Sequence, residues 1–291
     1  MLDPQATSDH HFIGPFGVPI KVHWSFVFLI ALLTISVASI IDGGVSGIST
    51  TGVYLWSFLT TVALLTTLVC HEYGHIFAAR HYGIDTNRVL LFLLGGAAEI
   101  MEESKTPRQE FMIAAAGPVV SLLFAGLFLG LTVLLPVSFG AVEGGVEFSS
   151  GFAAFLILTG VLNIAIVVFN LIPAFPLDGG RLFYATMWKL LGFEKGVKVT
   201  YSLSAVMCSS LMLSGLLMMF GVQIPVLGTG IFSGFWLIVI GGLLLCIIGI
   251  QYALYVGRDF CPPSETNEDL TSQSRMLPKA AEKWKGDKNG L

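Results

Sequence analysis

Long stretches without charge alternate with short polar connections along the whole chain. Apolar runs of the length that crosses a bilayer, about 20 residues, fall at Trp24–Ile41, Val53–Ala79, Phe111–Leu135, Gly151–Ile172, Thr200–Gly221 and Ile231–Val256. They predict six transmembrane helices and an all-α polytopic membrane fold. One further run, Arg88–Ile100, is too short to cross and too apolar for an ordinary loop. It predicts a short re-entrant or β-like segment, with Gly95-Gly96 supplying a tight turn or a close backbone approach. Residues 14–24 predict an extended lead-in at the membrane surface, anchored by Trp24. The layout is therefore a lead-in over 1–23, a membrane domain over 24–256 whose informative motifs lie in about 53–185, and a tail over 257–291 whose Pro, Ser and Glu content predicts disorder.

Composition strengthens the membrane reading and excludes other classes. Of the 291 residues 54% are hydrophobic and 12% charged, with a mean hydropathy of +0.81, beyond what the core of a soluble domain requires. Lys21 precedes the first run, Arg80, Arg88, Lys105 and Arg108 lie between the second and third, and Arg181, Lys189, Lys195 and Lys198 lie between the fourth and fifth. The remaining six basic residues follow the last run, and the other three connections hold none. This bias predicts that both termini face the cytoplasm. A net charge of −4 without any Lys/Arg-rich run leaves no nucleic-acid signal. The first twenty residues lack a basic stretch followed by a small-residue cleavage site, so the first span is expected to be retained. Cys70, Cys208, Cys246 and Cys261 form no CxxC pair, which argues against a disulfide framework or a thiolate zinc site.

The candidate chemistry sits in two places. His71-Glu72-Tyr73-Gly74-His75 follows a charge-free stretch, Val53–Val69. On a helix, residues i and i+4 share a face, so His71 and His75 can offer nitrogens to one metal ion while Glu72 acts on the attacking water. A hydrogen-bonded core pair is the competing reading, but ionisable groups at membrane depth are costly and are functional by default. The second motif, Asn170–Arg181, breaks the fourth span with Pro173 and Pro176, and a broken helix at that depth is tolerated only inside protein or beside a watery cavity. Asp178, followed by two glycines, is the one carboxylate between Glu147 and Glu194. It is a candidate third ligand, since catalytic zinc commonly takes a His-His-carboxylate set. The alternatives are a turn residue for Asp178 and an interhelical hydrogen bond for Asn170. Both spans run from outside to inside on the basic-residue count, so the two motifs arrive at the same depth. His71 lies nine residues before Arg80, roughly 13 Å within the inner boundary. Small residues at Ala114–Ser121 predict close packing of the third span on the second, and Glu102, Glu103, Lys105, Arg108 and Glu110 are expected to form a solvated face.

On HExxH, the Leu94-Gly95-Gly96-Ala97 turn, Ala116-Gly117-Pro118 and Asn170–Gly180, the chain resembles the site-2 protease family of intramembrane zinc metalloproteases over roughly residues 14 to 185. The resemblance implies Zn2+ bound by His71, His75 and Asp178, Glu72 as general base, and Asn170 positioning the substrate or transition state. It also implies membrane-anchored protein substrates, such as anti-sigma factors or tethered transcription factors, in a bacterial or archaeal cell membrane. If Gly95 and Gly96 lie in a hairpin beside the histidine helix, its free edge can hold substrate as an added strand; a packing plug is the other reading. With no PDZ-like insertion between the spans and a tail too short for paired cystathionine-synthase-type domains, a minimal form of the family is expected. A zinc transporter and a catalytically silent membrane chaperone remain alternatives, and nothing in the sequence speaks to oligomeric state.

Overall fold

The computed structural model describes residues 10–13, 17–92, 95–100, 104–135, 137, 139–142, 145–224 and 230–257. The tail beyond 257, the turn residue Leu94, Glu102 and Glu103 lie outside them. In chain order the elements are β1 (His10–Ile13), β2 (Pro19–Val22), α1 (Phe26–Gly44), α2 (Thr50–His81), β3 (Thr86–Phe92), β4 (Gly95–Ile100) and α3 (Pro107–Leu134). Then come β5 (Phe139–Val142), β6 (Gly145–Phe148), α4 (Gly151–Asn170), α5 (Asp178–Leu191), α6 (Phe193–Met219) and α7 (Ile231–Gly257). All of these helices except α5 are long and apolar enough to span, which matches the six expected runs and makes the chain an integral membrane protein. Their outward faces carry exposed apolar side chains such as Phe28, Leu123, Val133, Val206 and Leu213, which lipid solvates and water would not.

Helix starts follow local chemistry. Ser49, Thr106 and Ser150 each accept a hydrogen bond from the backbone N–H three residues on, and Pro107 takes the first position of α3, where its missing N–H costs nothing. The helix α5 was not expected. Its sequence is too short and too charged to cross, and the basic residues that identify a polar connection also hide Leu182, Phe183 and Met187 at helical spacing.

The β-like segment is a hairpin, β3 with β4, pairing Phe92 with Gly95 and Leu91 with Gly96. It belongs to a larger sheet of order β1-β2-β3-β4, because the lead-in is extended as expected and β2 runs parallel to β3, with Ile20 opposite Val89. Tyr73 ties this sheet to α2: its hydroxyl donates to the Val18 carbonyl at 3.2 Å, within a buried cluster of Val18, Tyr73, Ile76, Val89 and Leu91. A second hairpin, β5 with β6, occupies the connection before α4, and the Ser46 hydroxyl donates to Glu147 there at 2.9 Å.

The chain divides into two compact units, Met1–Thr186 and Met187–Leu291. In the second, α6 and α7 pack backbone to backbone. A Cβ placed on Gly215 would stand 2.5 Å from the Gly234 carbonyl oxygen, and one on Gly241 would stand 2.7 Å from Met212 Cγ. Small residues permit this approach.

Candidate metal centre

His71 and His75 project from one face of α2 and are 2% and 4% exposed, so neither is a solvated surface histidine. Asp178 meets them from the first residue of α5. His71 Nε2 stands 3.1 Å from Asp178 Oδ2, His75 Nε2 3.3 Å from Asp178 Oδ1, and the two Nε2 atoms 3.2 Å from each other. Nitrogen and oxygen ligands bound tetrahedrally to zinc at 2.0–2.1 Å are about 3.3 Å apart. The three residues therefore converge at the spacing of one face of a zinc tetrahedron, and they are the three-residue ligand cluster found among the described residues. Space is kept for the ion from a third side. A Cβ on Gly117 of α3 would fall 2.2 Å from His75 Nε2 and 2.6 Å from His71 Nε2, so any side chain there would fill the point to which the ligand atoms aim. The donor set and this cradle both fit zinc.

The helix α3 also orients both imidazoles. His75 Nδ1 donates to the Ile113 carbonyl at 2.8 Å, which leaves Nε2 with its lone pair. His71 Nδ1 lies 3.0 Å from Ser121 Oγ. Ile113, Gly117 and Ser121 are spaced by four and form one face of α3. The Ala114–Ser121 stretch does pack closely on α2, as its small residues predict: a Cβ on Gly74 would sit 2.9 Å from the Ala116 carbonyl oxygen. Its role extends beyond packing to the ligands themselves.

Delivery of Asp178 depends on the broken helix. After Asn170 the chain turns through Pro173 and Pro176, closed by Ala174 N–H to Ile172 carbonyl at 2.7 Å and Leu177 N–H to Ala174 carbonyl at 3.0 Å. The two following glycines serve close contact. A Cβ on Gly179 would stand 2.2 Å from the Leu171 carbonyl oxygen, and one on Gly180 2.5 Å from the Ala174 carbonyl carbon.

Glu110 corrects the expected solvated face. Lys105 and Arg108 are exposed, whereas Glu110 is 8% exposed, accepts from Ser104 Oγ at 2.7 Å and pairs with Arg181 Nε at 2.8 Å. An isolated carboxylate could not be buried so cheaply; the guanidinium compensates it. The pair joins the first turn of α3 to α5, three residues after Asp178.

Glu72 is buried with the ligands and faces β4: a Cβ on Gly96 would lie 3.0 Å from Glu72 Cγ and 3.3 Å from its Oε1. Gly95 pairs with Phe92 at the hairpin end. Asn170 closes α4, half-buried, and among the described residues the hydrogen bonds of the three ligands run to Ser121, Ile113 and one another. Ile113 and Ser121 were not singled out from sequence, and Glu110 and Arg181 were read there only as charges of the connections between spans. The four-residue spacing of Ile113 and Ser121 about Gly117 is the signal by which the first two could have been found.

Comparison with known proteins follows this geometry. The chain is 35% identical over 196 residues to a candidate zinc metalloprotease of Synechocystis, covering 63% of this chain and 46% of the relative. It is 30% identical over 205 residues to a zinc metalloprotease of Methanocaldococcus jannaschii, covering 70% and 52%. The chain thus spans about half the length of these curated relatives. A solved site-2 protease from Methanocaldococcus jannaschii shares the fold, with a TM-score of 0.52 at 24% identity over 83% of this chain and 94% of that one. The family model described as peptidase family M50 matches residues 59–214, more than half of the chain, and the stretch runs from within α2 into α6, taking in β3, β4, α3, α4 and α5. The chain belongs to peptidase family M50, the site-2 proteases.

Proposed function

We propose that the chain is a zinc endopeptidase that hydrolyses peptide bonds within or beside the transmembrane segments of membrane-anchored proteins. The observation that carries this reading is the convergence of His71, His75 and Asp178 at zinc-ligand spacing with Glu72 buried alongside. Zinc held by these residues would polarise the scissile carbonyl and lower the pKa of water. The Glu72 carboxylate takes the proton from the attacking water and passes it to the leaving amine. At the edge of the four-stranded sheet, β4 brings Gly96 against Glu72. Substrate added to that edge as a strand is extended, its carbonyl is freed from helical bonding, and it passes beside the base. A substrate helix satisfies its own backbone hydrogen bonds, so unwinding a turn in lipid costs several kcal/mol per orphaned group. Helix-weakening residues near the cut therefore speed the reaction. With both termini in the cytoplasm, the cut falls in the inner half of the substrate span. Anti-sigma factors and membrane-tethered transcription factors are substrates of the right architecture, and Asn170 positions the chain being cut.

The test is incubation of purified protein with single-span substrates, with chelator and after zinc is restored, followed by mass spectrometry of the products. Zinc-dependent cleavage in the inner half of the span, faster with Gly or Pro near the cut and slower in a Leu-rich segment, is expected. Cleavage that survives chelation, or no cleavage of any substrate with zinc present, would overturn the proposal.

A further inference from the structure

The two imidazoles rest on different kinds of partner. Ile113 offers His75 a carbonyl, which can only accept, so Nδ1 of His75 carries the proton and, in the neutral ring, Nε2 presents a lone pair. His71 instead meets a hydroxyl, which both donates and accepts, and Ser121 and His71 are 0% and 2% exposed, beyond the reach of bulk water. Two proton arrangements satisfy this pair. With the proton on Nδ1, His71 donates to Ser121 Oγ and turns the Nε2 lone pair toward Asp178 and His75. With the proton on Nε2, the Ser121 hydroxyl donates to Nδ1, while Nε2 donates to Asp178 Oδ2 at 3.1 Å with His75 Nε2 at 3.2 Å. The second arrangement satisfies the converging acceptors with a proton, whereas the first leaves His71 Nε2, His75 Nε2 and Asp178 facing one another as acceptors that only a cation can satisfy.

We infer that Ser121 is a positioning residue for the metal centre, whose hydroxyl accepts the Nδ1 proton of His71 and thereby fixes the tautomer and ring orientation in which Nε2 is a ligand. This rests on the zinc reading above. A carboxylate, a common partner for a metal-bound histidine, would bury a third anion beside Asp178 and Glu72; a hydroxyl orients the ring without that charge. The position suits the task, because Ser121 lies one helical turn beyond Gly117, which faces both Nε2 atoms.

The test compares zinc affinity, by competition with a chromophoric chelator, and the visible spectrum of the cobalt-substituted protein across wild type, Ser121→Ala and Ser121→Thr. Loss of a partner of this kind typically weakens metal binding by about 10- to 100-fold. Ser121→Ala is expected to show that loss with an altered cobalt spectrum, and Ser121→Thr, which keeps the oxygen, to recover affinity to within a few-fold. If Ser121→Ala fails to fold, Ser121→Cys, of similar volume but a poor acceptor, takes its place and must show the same loss. Wild-type affinity and spectrum in the Ala or Cys variant, or a Thr variant as weak as Ala, would overturn the role of Ser121 while leaving the zinc site intact. A wild-type protein that takes up no zinc would overturn the site reading itself.

Discussion

The contact of α2 with α3 and that of α6 with α7 are built alike and do different things. In each, a glycine lets one helix rest on the backbone of the next, Gly74 against Ala116 and Gly215 against Gly234. Both have buried polar side chains. In α6 these are Thr200 and Ser204, whose hydroxyls donate within their own helix, to the Gly196 and Thr200 carbonyls at 2.8 Å. A hydroxyl of this kind can be satisfied within its own helix. In α2, Ser57, Thr60 and Thr67 likewise donate within their own helix, but His71 and His75 are buried there too, and an imidazole cannot reach its own helix backbone in this way. Its partners come from α3 and α5 instead. Close small-residue packing is thus the common membrane solution, and polar groups satisfied across elements distinguish the chemical contact.

The largest expected effect breaks the first contact at its centre. Gly117→Ala puts a methyl where the ligand atoms converge, and His75 can move away only by giving up its bond to Ile113. Zinc content should fall from one per chain to near zero and proteolysis with it, while Gly126→Ala on the same helix, whose Cβ would meet nothing within 4 Å, should leave both unchanged. Elemental analysis decides; full zinc in Gly117→Ala would mean that the ligands have room that the geometry does not show. Next in size is Glu72→Gln, which keeps shape but cannot accept a proton. Activity should drop by about 10²- to 10⁴-fold with zinc retained. Loss of zinc in that variant would make Glu72 a ligand and the assignment of roles wrong.

A smaller effect is expected one layer out. Glu110→Gln leaves the Arg181 guanidinium without its counter-charge, three residues after Asp178. Breaking a buried pair costs several kcal/mol, and the partial exposure of Arg181 reduces this to about 1–3 kcal/mol. Denaturant titration should show that loss, with a moderate fall in zinc affinity as α5 loosens, and the exchanged pair Glu110→Arg with Arg181→Glu should recover part of it. An unchanged titration would make the pair incidental to the placement of Asp178.

These predictions separate what local sequence carries from what it does not. The six spans were legible because a membrane helix needs only length and hydropathy, both local properties. His71 and His75 were legible because one helix sets their spacing, and Asp178 because a lone carboxylate beside two prolines is conspicuous. Glu110 was misread because it stands among Lys105, Arg108 and the other glutamates, and its burial depends on a partner 71 residues away. Ser121 and Ile113 were missed for a related reason: a serine and a backbone carbonyl acquire their roles only from what another helix presents to them. The helix α5 was hidden by its charges, and the pairing of β2 with β3 by the whole of α1 and α2 between them. Gly179 and Gly180 stand out in the sequence only as a pair beside Asp178, and the structure uses them for close contact.

The smallest effect on the metal is expected where the comparison began, at the second helix pair. Gly215→Ala would push a methyl to 2.5 Å from the Gly234 carbonyl oxygen and 3.0 Å from Ile238 Cγ1, so α6 and α7 must separate by a fraction of an ångström. Forcing extra volume into a packed contact typically costs about 1–3 kcal/mol, and the midpoint of thermal unfolding should fall accordingly. Both α6 and α7 lie within Met187–Leu291, whereas His71, His75, Asp178 and their partners on α3 all lie within Met1–Thr186. The cobalt spectrum and zinc affinity of Gly215→Ala should therefore match wild type within about twofold, even as unfolding comes earlier. Thermal unfolding and chelator competition on the same preparation check both halves of this expectation. A metal loss approaching that of Gly117→Ala would show that the α6–α7 contact supports the ligands, and the distinction between self-satisfied and cross-satisfied helix contacts would not hold for this protein.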